Sequence, residues 1–194
     1  MMYSYRIEQA IRAATVLHQG QFRRGKAPFP YVSHLFSVAC IIADYTKDED
    51  IVIAGLLHDT LEDTEYTAEE LAADFGSRVQ SIVLGVSERT DPKDPRPWFE
   101  RKDAYIATLA NASEESRIVA AADTIHNLRS VIEEYQGNFE RYLLDFGGSL
   151  EQRLSLYERK SQVFNEGIEN AIVEEFNHVF EEYKNFIRQE STLL

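Results

Sequence analysis

Cysteine is almost absent from this chain. Cys40 is the only one, so no intramolecular disulfide can form, and the chain fits a reducing, cytosolic compartment. Its apolar surroundings, Val38 to Ala43, read as core packing. Proline and glycine are scarce as well, five and nine in 194 residues, and no low-complexity tract occurs, which argues for folded structure throughout all but the ends. No apolar run reaches the ~18 residues that span a bilayer, and no basic segment followed by an apolar one opens the chain. Alternating strand-type patterning is missing too. Positive charge is in deficit, 20 Lys and Arg against 33 Asp and Glu for a net charge of -13. That excludes the broad basic surface on which non-specific nucleic-acid binding relies.

What the chain does have is helical periodicity. Ile7, Ala10, Ile11, Ala14 and Leu17 form one apolar stripe over residues 4–18. Gly20 to Pro30 reads as a loop, and helical spacing resumes from His34 to Tyr45. Asp48 or Asp50 can cap the next helix, Thr67 with Glu70 forms a capping box, and Gly76 ends that segment. Residues 77–87 are amphipathic, three prolines between Asp91 and Pro97 enforce a mobile loop, and helices follow at Trp98 to Ala110 and Glu114 to Tyr135. Two further helical stretches are expected after Asn138, the last with Ile168, Ile172, Phe176, Val179, Phe180, Tyr183 and Ile187 on one face. The expected fold is all-α: a helical bundle over residues 1–137, with residues 138–194 as an extension packed on the same domain.

Charge is unevenly placed. Residues 1–43 carry Arg6, Arg12, Arg23, Arg24 and Lys26 against Glu8 alone, and Arg96, Arg101 and Lys102 form a second basic cluster after an acidic block. Folded over a common site, the two clusters would attract a small anion that the surface as a whole repels.

The most informative string is His58-Asp59-Thr60-Leu61-Glu62-Asp63-Thr64, directly after the apolar run Ile51 to Leu57. Helical spacing places His58 with Glu62 and Asp59 with Asp63. Three acids and an imidazole at the edge of an apolar core need compensation, and a divalent cation is the simplest one. His34, near a helix start, and Asp123, an acid in the apolar helix face Val119 to Leu128, complete a candidate quartet of two nitrogens and two oxygens. The alternative for Asp123 is a buried pair with Arg129 or Arg12. A mixed set of this kind suits Mn²⁺, Fe²⁺ or Zn²⁺ better than Mg²⁺.

The pattern H…HD…D resembles the HD phosphohydrolase superfamily of helical, metal-dependent hydrolases. The strings HQGQFRRGKAPFPYVSH, LLHDTLEDT, FGSRVQSIVLGVSERT, ERKDAYIATL and AADTIHNLRS, over residues 5 to about 130, are similar to the hydrolase domain of Rel/Spo-type alarmone enzymes and the small alarmone hydrolases. The resemblance implies one Mn²⁺ on His34, His58, Asp59 and Asp123, and a water oriented or deprotonated by Glu62 and Asp63. It implies base contacts from Arg23 and Asn127, with Arg24 beside Arg23, and Lys102 is a phosphate-binding candidate. The implied reaction removes the 3′-pyrophosphate of a guanosine or adenosine alarmone. Leu35 stands where the family often has proline, and Thr124 where it often has a basic residue, so fewer cations are expected to face the phosphates. Two other readings stay open: a different nucleotide phosphatase, acting on 2′-, 3′- or 5′-phosphates including that of NADPH, and a nucleotide-binding sensor without turnover. The C-terminal stripe packs on the core or forms a homodimer. His18 and His126 are expected to donate hydrogen bonds around the site or the core, and His178 to be exposed.

Overall fold

The computed structural model describes residues 3–25, 28–88 and 96–191. These residues form helices α1 (Tyr5–Leu17), α2 (Val32–Tyr45), α3 (Glu49–Leu57), α4 (Thr60–Asp63), α5 (Ala68–Phe75), α6 (Ser77–Val86), α7 (Trp98–Ala110), α8 (Glu114–Tyr135), α9 (Phe139–Asp145), α10 (Leu150–Gly167) and α11 (Ile172–Ser191), with no strand among them. The fold is all-α. Most of the expected loop at Asp91 to Pro97, and Lys26 of the basic N-terminal cluster, lie outside the described residues.

Local chemistry sets the helix starts. Ser4, Asp48 and Ser113 accept hydrogen bonds from the backbone N–H groups of Ile7, Asp50 and Ser116, and Thr67–Glu70 and Ser149–Gln152 form reciprocal capping boxes. Gly76, at φ +93°, turns the chain from α5 directly into α6, a conformation that side chains disfavour.

Helix α3 is the axis. Ile51 to Leu57 are all buried, which is why that segment shows an apolar run rather than a stripe. It packs against α1, α2, α6 and α8. Gly55 leaves no space for a β-carbon against Ile42 of α2, so these two helices approach closely. Truncating fully buried Leu56 to alanine would cost about 2–5 kcal/mol. The acidic start of α3 is neutralised by Arg6, whose guanidinium nitrogens lie 2.7 Å from both Glu49 and Asp50, and by Arg78, 2.6 Å from Asp48.

After residue 138 the chain forms three helices, where two were expected, because the Phe146-Gly147-Gly148 corner separates α9 from α10. Buried Arg153 holds this corner: its Nε donates to the Gly147 carbonyl at 2.9 Å, and its guanidinium lies 4.7 Å from the Tyr142 ring centre. Gly148, at φ +78°, sits under the Trp98 ring, where a β-carbon would come within 2.8 Å. Helix α11 packs on α8, and α10 on α7 and α8. The Tyr142 and Tyr183 hydroxyls share a buried 2.5 Å hydrogen bond. Two residue-level expectations divide here. His178 is exposed, as its position implied. Cys40 is exposed rather than packed in the core: α2 turns Val38, Ala39 and Ile42 inward and leaves position 40 on the outer face, a distinction that a uniformly apolar stretch conceals.

Candidate functional site

Three helices deliver the candidate ligands to one point. Helix α2 presents His34 in its first turn, α3 ends at His58, and Asp123 projects from the middle of α8. At Asp59 the helix is interrupted, yet His58 and Asp59 keep right-handed helical backbone angles, and the Asp63 N–H still reaches the Asp59 carbonyl at 2.9 Å. His34 Nε2 lies 3.2 Å from Asp123 Oδ1 and 3.6 Å from Asp59 Oδ2. His58 Nε2 lies 3.1 Å from Asp59 Oδ2 and 3.7 Å from Asp123 Oδ1. Neither proposed arginine partner reaches Asp123: Arg129 pairs with Glu175 and Arg12 with Glu8.

The hydrogen bonds fix which nitrogen faces inward. His58 Nδ1 is 2.9 Å from the Gly55 carbonyl, so that nitrogen carries the proton and donates it. Nε2 is buried and turned toward the two carboxylates: burial lowers the proton affinity of this imidazole, but Asp59 and Asp123 raise it well above its usual range, so Nε2 carries a proton that a bound cation would displace. His34 Nδ1 sits 2.8 Å from Nδ1 of His126, which leaves its Nε2 toward the acids. Second nitrogens tied back in this way are what metal-ligating histidines require. The donors of His34, His58 and Asp59 lie within 4.8 Å of one another, and this group can hold a divalent metal, with Asp123 facing the same point. Burial raises the proton affinity of Asp59 and Asp123, yet the two imidazoles outweigh it and lower both carboxyls below their usual range. The cluster therefore holds two carboxylates against shared imidazole protons, a position that a cation can take over.

A cavity of about 170 Å³ opens on this cluster, and Glu62, Glu88, Lys102, Tyr105, Asn127 and Lys160 also line it. Burial, then the Asp59 charge, pushes Glu62 up to about 8. Its carboxylate accepts the Glu88 N–H at 2.6 Å, and the Glu88 side chain is ion-paired to Lys102. Asp63 does not line the cavity; it is exposed beside Tyr31, and its carbonyl accepts from Gln21 at 2.8 Å. A second cavity of about 330 Å³ adjoins the first at Tyr31 and Asn127, with Phe22, Arg23, Arg24, Tyr135, Phe146 and Tyr157 among its walls. Arg23 donates to Asn127 Oδ1 at 2.7 Å, Asn127 donates to Asp123 at 2.5 Å, and the guanidinium lies 5.6 Å from the Tyr31 ring centre. Arg24 reaches instead to the Asp145 carbonyl. Of the two basic clusters, then, Arg23 and Lys102 line the paired cavities most directly. Arg6 and Arg12 are spent elsewhere, and Arg96 and Arg101 line a separate hollow beside Ser87 and Thr108.

The HD domain family matches residues 10–145. The chain belongs to the HD domain family. A GTP pyrophosphokinase of Streptomyces coelicolor is 33% identical over 153 residues, 77% of this chain but 18% of that protein. A guanosine-3′,5′-bis(diphosphate) 3′-pyrophosphohydrolase of Danio rerio is 34% identical over 125 residues, 63% of this chain and 67% of the relative. Among solved structures, a metazoan orthologue of SpoT that hydrolyses ppGpp superposes with a TM-score of 0.74 at 24% identity, covering 94% of this chain and 97% of the other. The chain thus spans under a fifth of the Streptomyces protein and about two thirds of the fish one.

In this HD domain several site residues escaped the sequence pattern. The Tyr31 hydroxyl donates to Asp59 Oδ2 at 2.6 Å, and its ring stacks on His18 with centres 5.3 Å apart. Its place three residues before His34 is a signal that spacing could have given. Glu88 and Tyr105 have no such signal. Lys160 does: it shares the inward face of α10 with Arg153 and Phe164, where a lysine is out of place.

Proposed function

We propose that this HD domain is a metal-dependent pyrophosphohydrolase that removes the 3′-pyrophosphate of a guanosine or adenosine alarmone. The carrying observation is Glu62 held in the cavity of the His34, His58, Asp59 and Asp123 cluster, beside a larger aromatic cavity that can take a purine. A divalent metal on the quartet, Mn²⁺ by its mixed nitrogen and oxygen donors, would supply Lewis-acid polarisation of the phosphoryl group and lower the pKa of water.

The protein's own groups do the rest. With a proton affinity near neutrality, Glu62 suits a base that takes a proton from water as the oxygen attacks phosphorus in line with the departing 3′-oxygen. The Glu88 N–H holds the Glu62 carboxylate in place. Asp63, one residue on but exposed, orients that face of the site through the Gln21 and Tyr31 contacts rather than by touching the water. Tyr31 and Asn127 steady Asp59 and Asp123. The base stacks in the cavity of Tyr135, Phe146 and Tyr157 with Arg23 and Asn127 at its edge, Arg24 stays at the rim, and Lys102 meets phosphate. Residues 138–191 form a helical extension of the same domain, and they supply Tyr157 and Lys160 to the cleft.

The relatives carry opposite names, kinase and hydrolase, so the site must decide between them. A buried acid poised to deprotonate water favours hydrolysis. Intact ligand positions and Glu62 likewise speak against a pure nucleotide sensor. The test is incubation of the Mn²⁺-loaded protein with guanosine and adenosine 3′-pyrophosphates, NADPH and ordinary nucleotides, with product identification. Pyrophosphate release from the 3′-pyrophosphorylated nucleotides is expected; orthophosphate release alone would transfer the site to another phosphatase reaction.

A further inference from the structure

Lys160 is the one buried lysine among the described residues, with 9% of its surface exposed. It comes from α10, in the part of the chain added after the bundle, and it lines the same cavity as His34, His58 and Glu62. Its hydrogen-bond acceptor is neutral: Nζ donates to Thr124 Oγ1 at 3.0 Å, while the Thr124 hydroxyl donates to the Ala120 carbonyl at 2.7 Å. Its charge faces the Tyr105 ring, 5.4 Å from the centre, and among the described residues no carboxylate oxygen lies within 4.0 Å of it. Lys102, across the cavity, is by contrast closed by Glu88.

A buried ammonium with no carboxylate of its own is destabilising unless something else meets it. An apolar residue of the same length would fill the space at lower cost, so packing does not account for it. With one of its three N–H donors on Thr124, the remaining two are available to the cavity. We infer that Lys160 is a substrate-binding residue: it receives the terminal phosphate of the pyrophosphoryl group, supplying from α10 the charge that Thr124 does not supply from α8. This assignment rests on the pyrophosphohydrolase reading. It gives the C-terminal helices a chemical task, and it explains how a site with Leu35 and Thr124 rather than basic groups at two motif positions accommodates a pyrophosphoryl group.

The test uses the full chain loaded with Mn²⁺ and inorganic pyrophosphate as probe, with affinity measured by calorimetry and melting temperature in parallel. Lys160→Met keeps the length and removes the charge. It is expected to weaken pyrophosphate binding roughly 10- to 100-fold, the range for a charge-assisted hydrogen bond, to leave Mn²⁺ stoichiometry unchanged, and to raise the melting temperature of the pyrophosphate-free protein. A second variant, Lys160→Met with Thr124→Lys, returns the charge from the neighbouring helix and is expected to recover most of the affinity, which a purely structural role would not predict. Pyrophosphate affinity within twofold of wild type in Lys160→Met, or no measurable binding by the wild type, would overturn the inference. Lys160-dependent pyrophosphate binding without hydrolysis of a 3′-pyrophosphorylated nucleotide would uphold it, and the failure would then belong to the substrate assigned under the proposed function.

Discussion

The candidate ligand quartet and Glu62 are gathered beside a cavity of about 170 Å³ at one end of the cleft, while the other end, about 330 Å³, is walled by Phe22, Tyr135, Phe146 and Tyr157 with Arg23 at its side. At the first end each residue perturbs the next: Asp59 and Asp123 are held acidic by imidazoles, and Glu62 is pushed up by burial and by Asp59. At the second, shape and ring faces matter more than charge. Under the proposed function the contrast becomes a division of labour, in which electrostatics would handle the reacting phosphorus and apolar area the nucleoside. Tyr31 and Asn127 belong to both ends and couple them.

The strongest test of this division is Asp59→Ala, which should abolish metal binding and take turnover below that of any other variant; metal retained at wild-type stoichiometry would remove Asp59 from the ligand set. Glu62→Gln comes next, with metal retained and kcat reduced by roughly 10²- to 10⁴-fold. Near-normal turnover in Glu62→Gln would place the base elsewhere. Tyr31→Phe probes the seam: loss of the hydroxyl on Asp59 should weaken metal binding by roughly tenfold while the ring still lines the nucleoside end. Arg23→Ala should raise KM about five- to tenfold and change kcat less, since a half-buried guanidinium at the binding end contributes mainly to ground-state affinity. A fall in kcat with KM unchanged would assign Arg23 to the chemical end instead.

The smallest effect is a pH dependence of stability in chelator-treated protein. The folded state holds Glu62 up to about 8, above its ordinary 4.5, so this group binds its proton more tightly when folded. Its contribution is fully present below about pH 4.5 and is lost as the pH rises toward 8. Relative to Glu62→Gln, the wild type should therefore lose melting temperature between pH 5 and 8, with the two proteins closest at the acid end. A constant difference across that interval would mean that burial does not raise this carboxyl.

The two ends were unequally legible in the sequence. His58, Asp59 and Glu62 sit in one heptapeptide on a helical turn, and Asp123 stands out against Ala120, Ala121 and Ala122, so local spacing alone brought them into view. Helix starts were equally local, since Ser113, Thr67 and Asp48 cap with their own side chains. The nucleoside end draws Phe22 from a loop, Tyr135 from α8, Phe146 from a corner and Tyr157 from α10, and no periodicity links them. Asp63 stands outside the lining of the smaller cavity, a placement that adjacency in HDxxED does not reveal, since it says nothing of which way the broken turn at Asp59 aims the side chain. Cys40 was misjudged because an apolar neighbourhood does not reveal a helix face.

Trp98, the only tryptophan in the chain, rests on Gly147 and Gly148 at the corner where α10 begins, one turn before Lys102 on α7. Its indole is therefore an intrinsic optical gauge at the junction between the bundle and the helix that carries Lys160. Emission from this single fluorophore can be followed in the unmodified protein, without a label, while the cleft is filled.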